Sequence, residues 1–347
     1  MRSAFHYFGW AFGFTAIGLL LSLWLGFVYE HTFSGAMSFF FVACVLAVLE
    51  ISLSFDNAIV NANKLSRMSP LWQRRFLTWG IIIAVFGMRI IFPLIIVVVA
   101  AHVGPLEAIR LAATEPQEYA KIIDEAHVSI AGFGGAFLMM VALSYFVDEG
   151  KEVHWFAALE RRLSACASVR GLELGFVLAL VLGVTAIQPV HEQGTFLVAA
   201  CTGLLTFLAV EGLGQVLDRG ALASDVARGG IGAFLYLEVL DASFSFDGVI
   251  GAFALTQNLF LIAIGLGIGA FYVRSMTVML VERHALSEFR FLEHGAFWSI
   301  LVLSAAMFLQ TLFPVPEWAT GLLGVLFIGL SFMSSVRWKR ANPEPCE

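Results

Sequence analysis

LEISLSFDNAIV, residues 49–60, decides the reading of this chain, because about 190 residues later the same phrase returns as VLDASFSFDGVI, residues 239–250. Superposing Asp56 on Asp247 sets Glu50 on Asp241, Ser52 on Ser243, Ser54 on Ser245, Phe55 on Phe246 and Asn57 on Gly248. The match resumes downstream, where GIIIAVFGMR (80–89) aligns without a gap on GLGIGAFYVR (265–274), pairing Gly80 with Gly265, Phe86 with Phe271 and Arg89 with Arg274. Each copy thus couples two carboxylates to an arginine on the following segment. All of these charges lie inside long apolar runs, where each costs about 2.5–3.5 kcal/mol on insertion scales. Side chains kept at that cost point to function.

The composition places those runs in a membrane. With 59% hydrophobic residues, 13% charged residues and 33 Phe, the chain lies outside the range of soluble globular proteins and inside that of polytopic membrane proteins. The net charge of −6 averages over two aqueous faces and says little about partners. Cys44 and Cys201 fall in apolar segments, Cys166 in a basic loop and Cys346 at the tail, with no CxxC spacing, so neither disulfides nor thiolate metal sites are expected. The first apolar run, from Tyr7 to Val28, is too long for a signal-peptide core and reads as a retained helix.

At about 20 apolar residues per span, the sequence predicts about ten helices, near 8–28, 36–63, 76–102, 129–147, 172–190, 195–217, 230–255, 258–281, 295–313 and 317–336. Lysine and arginine test the count, since they gather in short cytoplasmic loops. With the N-terminus inside, sixteen of the 20 basic residues fall on inner segments; Arg110 and Lys121 lie outside, and Arg89 and Arg274 lie within the membrane. Both termini are then cytoplasmic. The motif falls on the second and seventh spans, which divides the chain five plus five, and an odd number of spans per copy inserts the copies in opposite orientation. The expected fold is therefore an all-α polytopic transmembrane bundle of about ten helices in two inverted five-helix repeats. The first covers residues 1–190 with the motif Glu50 to Asn57, and the second covers 191–347 with the motif Asp241 to Gly248. Glu50 and Asp241 are expected to meet near the middle of the bilayer.

Successive helical residues stand about 100° apart, so Glu50, Ser54, Asn57 and Asn61 share a face while Ser52, Asp56 and Asn63 lie well away from it. Either the helix breaks around Ser54 to Asn57, or each copy serves two sites; broken helices at repeat interfaces favour the break. The motif donors are carboxylates, hydroxyls and an amide, with no Cys or His. Such a set suits the hard cations Mg²⁺, Mn²⁺ and Ca²⁺. Ser52, Ser54, Ser243 and Ser245 support the carboxylates, and Arg89 and Arg274 balance part of their charge. The plainer account of any single acid–arginine pair is packing glue between helices. Interfacial polarity accounts for His102, His127, His191 and Glu192. Glu211, Glu238, Asp148 and Glu149 fall toward cytoplasmic helix ends, where solvation is easy, and Glu238, one turn before Asp241, is placed to line an access path. Residues 115–125 read as a solvated outer helical segment. GxSxG, HExxH, Walker A and GxGxxG signatures are absent, so no enzyme and no nucleic-acid partner is expected.

At ExSxSFDNxxV (50–60) and DxSFSFDGVIGAFAxT (241–256) the chain resembles the TerC family of integral membrane proteins, within the LysE-type transporter superfamily. That resemblance implies a bacterial inner-membrane protein tied to tellurite resistance and metal homeostasis, with Mn²⁺ efflux as the activity. It makes Glu50, Asp56, Asn57, Asp241 and Asp247 the metal ligands, with no permanently bound cofactor, the lipid bilayer and the ion as partners, and room for a homo-oligomer. Two further functions fit the same residues: a non-transporting membrane scaffold of a stress-resistance complex, and a proton-coupled exporter of a small organic solute.

Overall fold

The computed structural model describes residues 4–80, 82–83, 87, 90–100, 103–147, 153–165, 171–220, 230–256, 258–283, 288–313, 315 and 317–342. Among them every regular element is a helix: α1 (Ala4–Glu30), α2 (Phe33–Leu53), α3 (Phe55–Ser66), α4 (Pro70–Arg75), a π-helical turn (Phe76–Gly80), α5 (Phe92–Ala100), α6 (Pro105–Thr114), α7 (Pro116–Glu125), α8 (His127–Phe146), α9 (Ala157–Ala165), α10 (Leu172–Ile187), α11 (Val190–Gly220), α12 (Ile231–Leu255), α13 (Leu259–Glu282), α14 (Leu292–Gln310) and α15 (Glu317–Ala341). A bilayer offers no water to backbone amides, so a chain this apolar satisfies them within helices.

Seven helices among the described residues are long and apolar enough to cross a membrane: α1, α2, α8, α11, α13, α14 and α15. The other three expected spans differ from these for stated reasons. The run at 172–190 is α10, whose 16 residues are short for a crossing. The run at 230–255 is α12, 25 residues long, which carries Glu238, Asp241 and Asp247. The run at 76–102 is described only in part.

The chain forms two compact units, one of Met1–Ser54, Met68–His127 and Val216–Met279, the other of Phe55–Arg67, Val128–Gln215 and Leu280–Glu347. Each draws on both the 1–190 and 191–347 halves. In the first unit α1 lies along α2, and Gly26 makes the approach possible: a Cβ there would fall 2.7 Å from Ala36 Cα. Leu46 of α2, Val249 and Ala252 of α12, and Ile262 and Leu266 of α13 form one buried cluster. Small residues set such contacts in lipid, where helices gain from close van der Waals packing. Gly265 fits this pattern, since a Cβ there would come 2.5 Å from Leu46 Cβ.

Residues 105–125 of the same unit, of which 115–125 read in the sequence as a solvated segment, instead pack one face into a buried cluster. Pro105 and Pro116 start α6 and α7, as proline does at a first helical turn. Tyr119 and Ile123 of α7 pack with Ala108 and Ala112 of α6, Val97 of α5 and Leu259 of α13. The exposed faces carry the Glu107–Arg110 and Lys121–Glu125 ion pairs. Burial pushes the Tyr119 phenol well above its ordinary pKa.

In the second unit α3 packs on α14 and α15, and α14 lies along α15. Glycine again sets the closest approaches: a Cβ on Gly203 would sit 2.3 Å from Phe133 O.

Candidate functional site

The motif helix is interrupted at Ser54. Leu53 ends α2, Phe55 begins α3, and Ser54 between them has φ −98° and ψ 15°, in the sparsely populated bridge region. Local side-chain bonds compete with the backbone ladder here: Ser52 Oγ donates to Val48 O at 2.8 Å, and Ser54 Oγ donates to Glu50 Oε1 at 3.1 Å. The equivalent stretch of the second copy lies inside α12 without a break. The interruption also divides the motif, with Glu50 and Ser54 in the first unit and Asp56, Asn57, Asn61 and Asn63 in the second.

In the first unit Glu50 is 3% exposed and lies against two glycines. A Cβ on Gly248 would be 2.8 Å from Glu50 Oε2, and one on Gly269 would be 2.3 Å from its Cγ. This explains why Gly248 stands where the first copy has Asn57: the carboxylate of one copy fills the space that a side chain of the other would need. Asp241 is buried on the same helix, seven residues before Gly248, about 10 Å along the axis. Glu50 therefore meets the second copy two turns beyond Asp241. Ser243 is buried and donates to Val239 O. Ser52 is exposed. Asp247 and Ser245 lie on α12, but their side chains are outside the described residues, as is Arg89 altogether.

Arg274 is half-buried and donates to the carbonyl of Leu77, in the π-helical turn. Glu238, expected near solvent, is instead buried at 8% exposure against Gly80.

In the second unit Asp56 is 3% exposed in the first turn of α3, where the helix dipole favours negative charge. Its Oδ2 accepts from Ser299 Oγ at 2.8 Å and its Oδ1 from the Asn57 N–H at 2.8 Å. Asn57 is buried beside it, and its side-chain oxygen has no hydrogen-bond partner among the described residues. Among those residues no three His, Cys, Asp or Glu are gathered as a metal cage.

A second polar centre of this unit was not visible in the motif. Glu160 of α9, fully buried, accepts from the Trp155 and Phe156 N–H groups at 3.2 Å each and from Trp298 Nε1 at 3.0 Å; His294 Nδ1 lies 2.8 Å from its Oε2 and His154 Nδ1 3.7 Å from the same atom. The backbone donors precede α9, where a glutamate near a helix start reaches back to satisfy them. His294 and Trp298 come from α14, so α14 carries donors to both Glu160 and, through Ser299, Asp56. A lone glutamate in a basic loop gives no periodic signal of this, because its partners lie some 130 residues away.

An all-helical chain with these apolar helices is a multi-pass membrane protein in contact with the lipid bilayer. It belongs to the family described as protein of unknown function, DUF475, whose model matches residues 55–342 and so opens on Phe55, directly after the interruption. No curated protein and no solved structure matches the chain.

Proposed function

We propose that this protein transports a divalent metal cation across the bacterial inner membrane, with Mn²⁺ the favoured cargo and alternating access around the two motif copies as the mechanism. The observation that carries it is Asn57 Oδ1, a buried acceptor without a donor among the described residues, beside the buried carboxylate of Asp56. An oxygen acceptor withdrawn from water and left unmatched costs about 1–3 kcal/mol. A hard cation, which takes six to eight oxygens in the case of Ca²⁺ and fewer with retained waters in the case of Mg²⁺, would complete it. Glu50 supports the same conclusion from the other unit, as a second buried acid seated against the opposite motif copy. The pairing of the two motif copies is supported by the first unit's make-up, since it holds α2 with α12 and the segment after the first motif with α13; their inverted orientation rests on the charge alternation. The TerC resemblance of the motifs adds metal homeostasis and tellurite resistance as the physiological setting.

One observation favours the scaffold instead. Both Asp56 oxygens already accept hydrogen bonds, from Ser299 and from the Asn57 backbone, as an acid serving only to join helices would. The two functions separate in a melting experiment on purified protein with and without Mn²⁺. Asp56→Asn and Asp247→Asn remove charge while preserving size, so a transporter variant folds at least as well as the parent and loses the metal-induced rise in Tm that binding brings by mass action. Full retention of that rise in both variants favours the scaffold. Cellular Mn, Mg, Ca, Fe and Zn contents, compared with and without the protein, identify the cargo.

A further inference from the structure

We infer that Glu238 and Asp241 form a second cation subsite in the first unit, separate from Glu50, whose ligand is a divalent hard cation. This rests on the transport function proposed above and adds to it a place of binding. Glu238 is 8% exposed, and both of its carboxylate oxygens are buried with no hydrogen-bond partner among the described residues. No lysine, arginine or histidine among those residues forms an ion pair with it. A carboxylate so placed has lost its water and, among the described residues, gains no hydrogen bond in exchange, a condition that costs several kcal/mol for a charged group.

Asp241, also 8% exposed, stands one turn further along α12. Residues three apart share a helix face, so the two acids are neighbours whose like charges repel, and a proton or a cation held between them relieves that repulsion. The volume beside Glu238 is kept open by Gly80, where a Cβ would come 2.9 Å from Glu238 Oε1. Gly80 closes the π-helical turn Phe76–Gly80, a rare conformation that concentrates at functional sites. Two carboxylates without a soft donor select a hard cation.

The subsite cannot share an ion with Glu50. Glu50 Oε2 lies against Gly248, and Gly248 is ten residues beyond Glu238 on the unbroken α12, about 15 Å of helix rise. Ligand oxygens of one such ion lie only about 2.0–2.6 Å from it. Charge alternation along the loops places the start of α12 at the cytoplasmic face, so the subsite is where a cation leaving the cytoplasm is first held.

The test counts Mn²⁺ bound per chain by the full-length protein in detergent, using the electron paramagnetic resonance of free Mn²⁺. Glu238→Gln is expected to lose one bound Mn²⁺ that Glu50→Gln keeps, and Gly80→Ala to weaken that same ion about tenfold or more with every charge in place. A Glu118→Gln control on α7 should match the parent. Glu238→Gln removes an uncompensated buried charge, so its metal-free Tm should equal or exceed the parent's. Parent-level Mn²⁺ binding in both Glu238→Gln and Gly80→Ala overturns the subsite while leaving the transport function standing. Loss of the same single ion in Glu238→Gln and Glu50→Gln overturns its separateness. A parent that binds no Mn²⁺ overturns the subsite and the transport function together.

Discussion

Glu50 and Gly248 divide one volume between two helices, and that division can be tested at a single atom. Gly248→Ala puts a Cβ within 2.8 Å of Glu50 Oε2, closer than carbon and oxygen settle, so the carboxylate must shift by a few tenths of an ångström. The expected outcome is a folded protein with a reduced Mn²⁺-induced rise in Tm; an unchanged rise removes Glu50 from the ligand set. Ser299→Ala acts at the other end of the motif. It deletes the hydroxyl that donates to Asp56 and should cost about 0.6 kcal/mol, the average for hydrogen bonds between membrane helices, and no more than about 1.7 kcal/mol, the largest such value. A metal-free melting curve reads this directly. A larger loss would mean that Ser299 also holds α3 against α14 through packing.

Two short elements outside the apolar spans carry buried polar groups, and each predicts its own behaviour. The Glu160 carboxylate gathers donors from α14 and from the residues before α9, so Glu160→Ala leaves two backbone N–H groups, an indole and an imidazole without their acceptor. The expected loss is about 3 kcal/mol or more, by analogy with breaking a buried charged pair, and it should appear as a lowered Tm and faster proteolysis in the 153–165 segment. On α7, burial holds the Tyr119 phenol protonated above the pKa it has in the unfolded chain. Stability from this group is therefore constant below about pH 10 and falls as pH rises beyond it, because only the unfolded chain releases the proton. The parent's Tm should fall past that pH, and that of Tyr119→Phe, which lacks the proton, should fall much less; equal falls in both would assign the effect to other groups.

For the molecule as a whole, the charge alternation predicts that reporters fused at residues 115 and 160 emerge on opposite sides of the membrane, the first outside and the second inside. Both on one side would end the five-plus-five arrangement. The same experiment bears on Glu238, whose place near the cytoplasmic face follows from that topology.

Much of this protein is determined by the sequence alone: an all-helical chain, helices apolar enough to cross a bilayer, and the helical acids Glu50, Asp56 and Asp241, all buried. These follow from quantities local to the chain, namely the length of apolar runs, the helical period and the cost of a charge in hydrocarbon. The periodicity of residues 50–63 also required either a break or two sites, and the break stands at Ser54. What only the tertiary structure decided is where each acid goes. Glu50 settles on Gly248, two turns past Asp241, because glycines at 248 and 269 leave room there. Glu238 is buried rather than solvated because Gly80 lies against it, and Glu160 becomes a hub through residues far along the chain. Contacts between distant segments depend on which backbones approach closely, and no pattern within one segment records that.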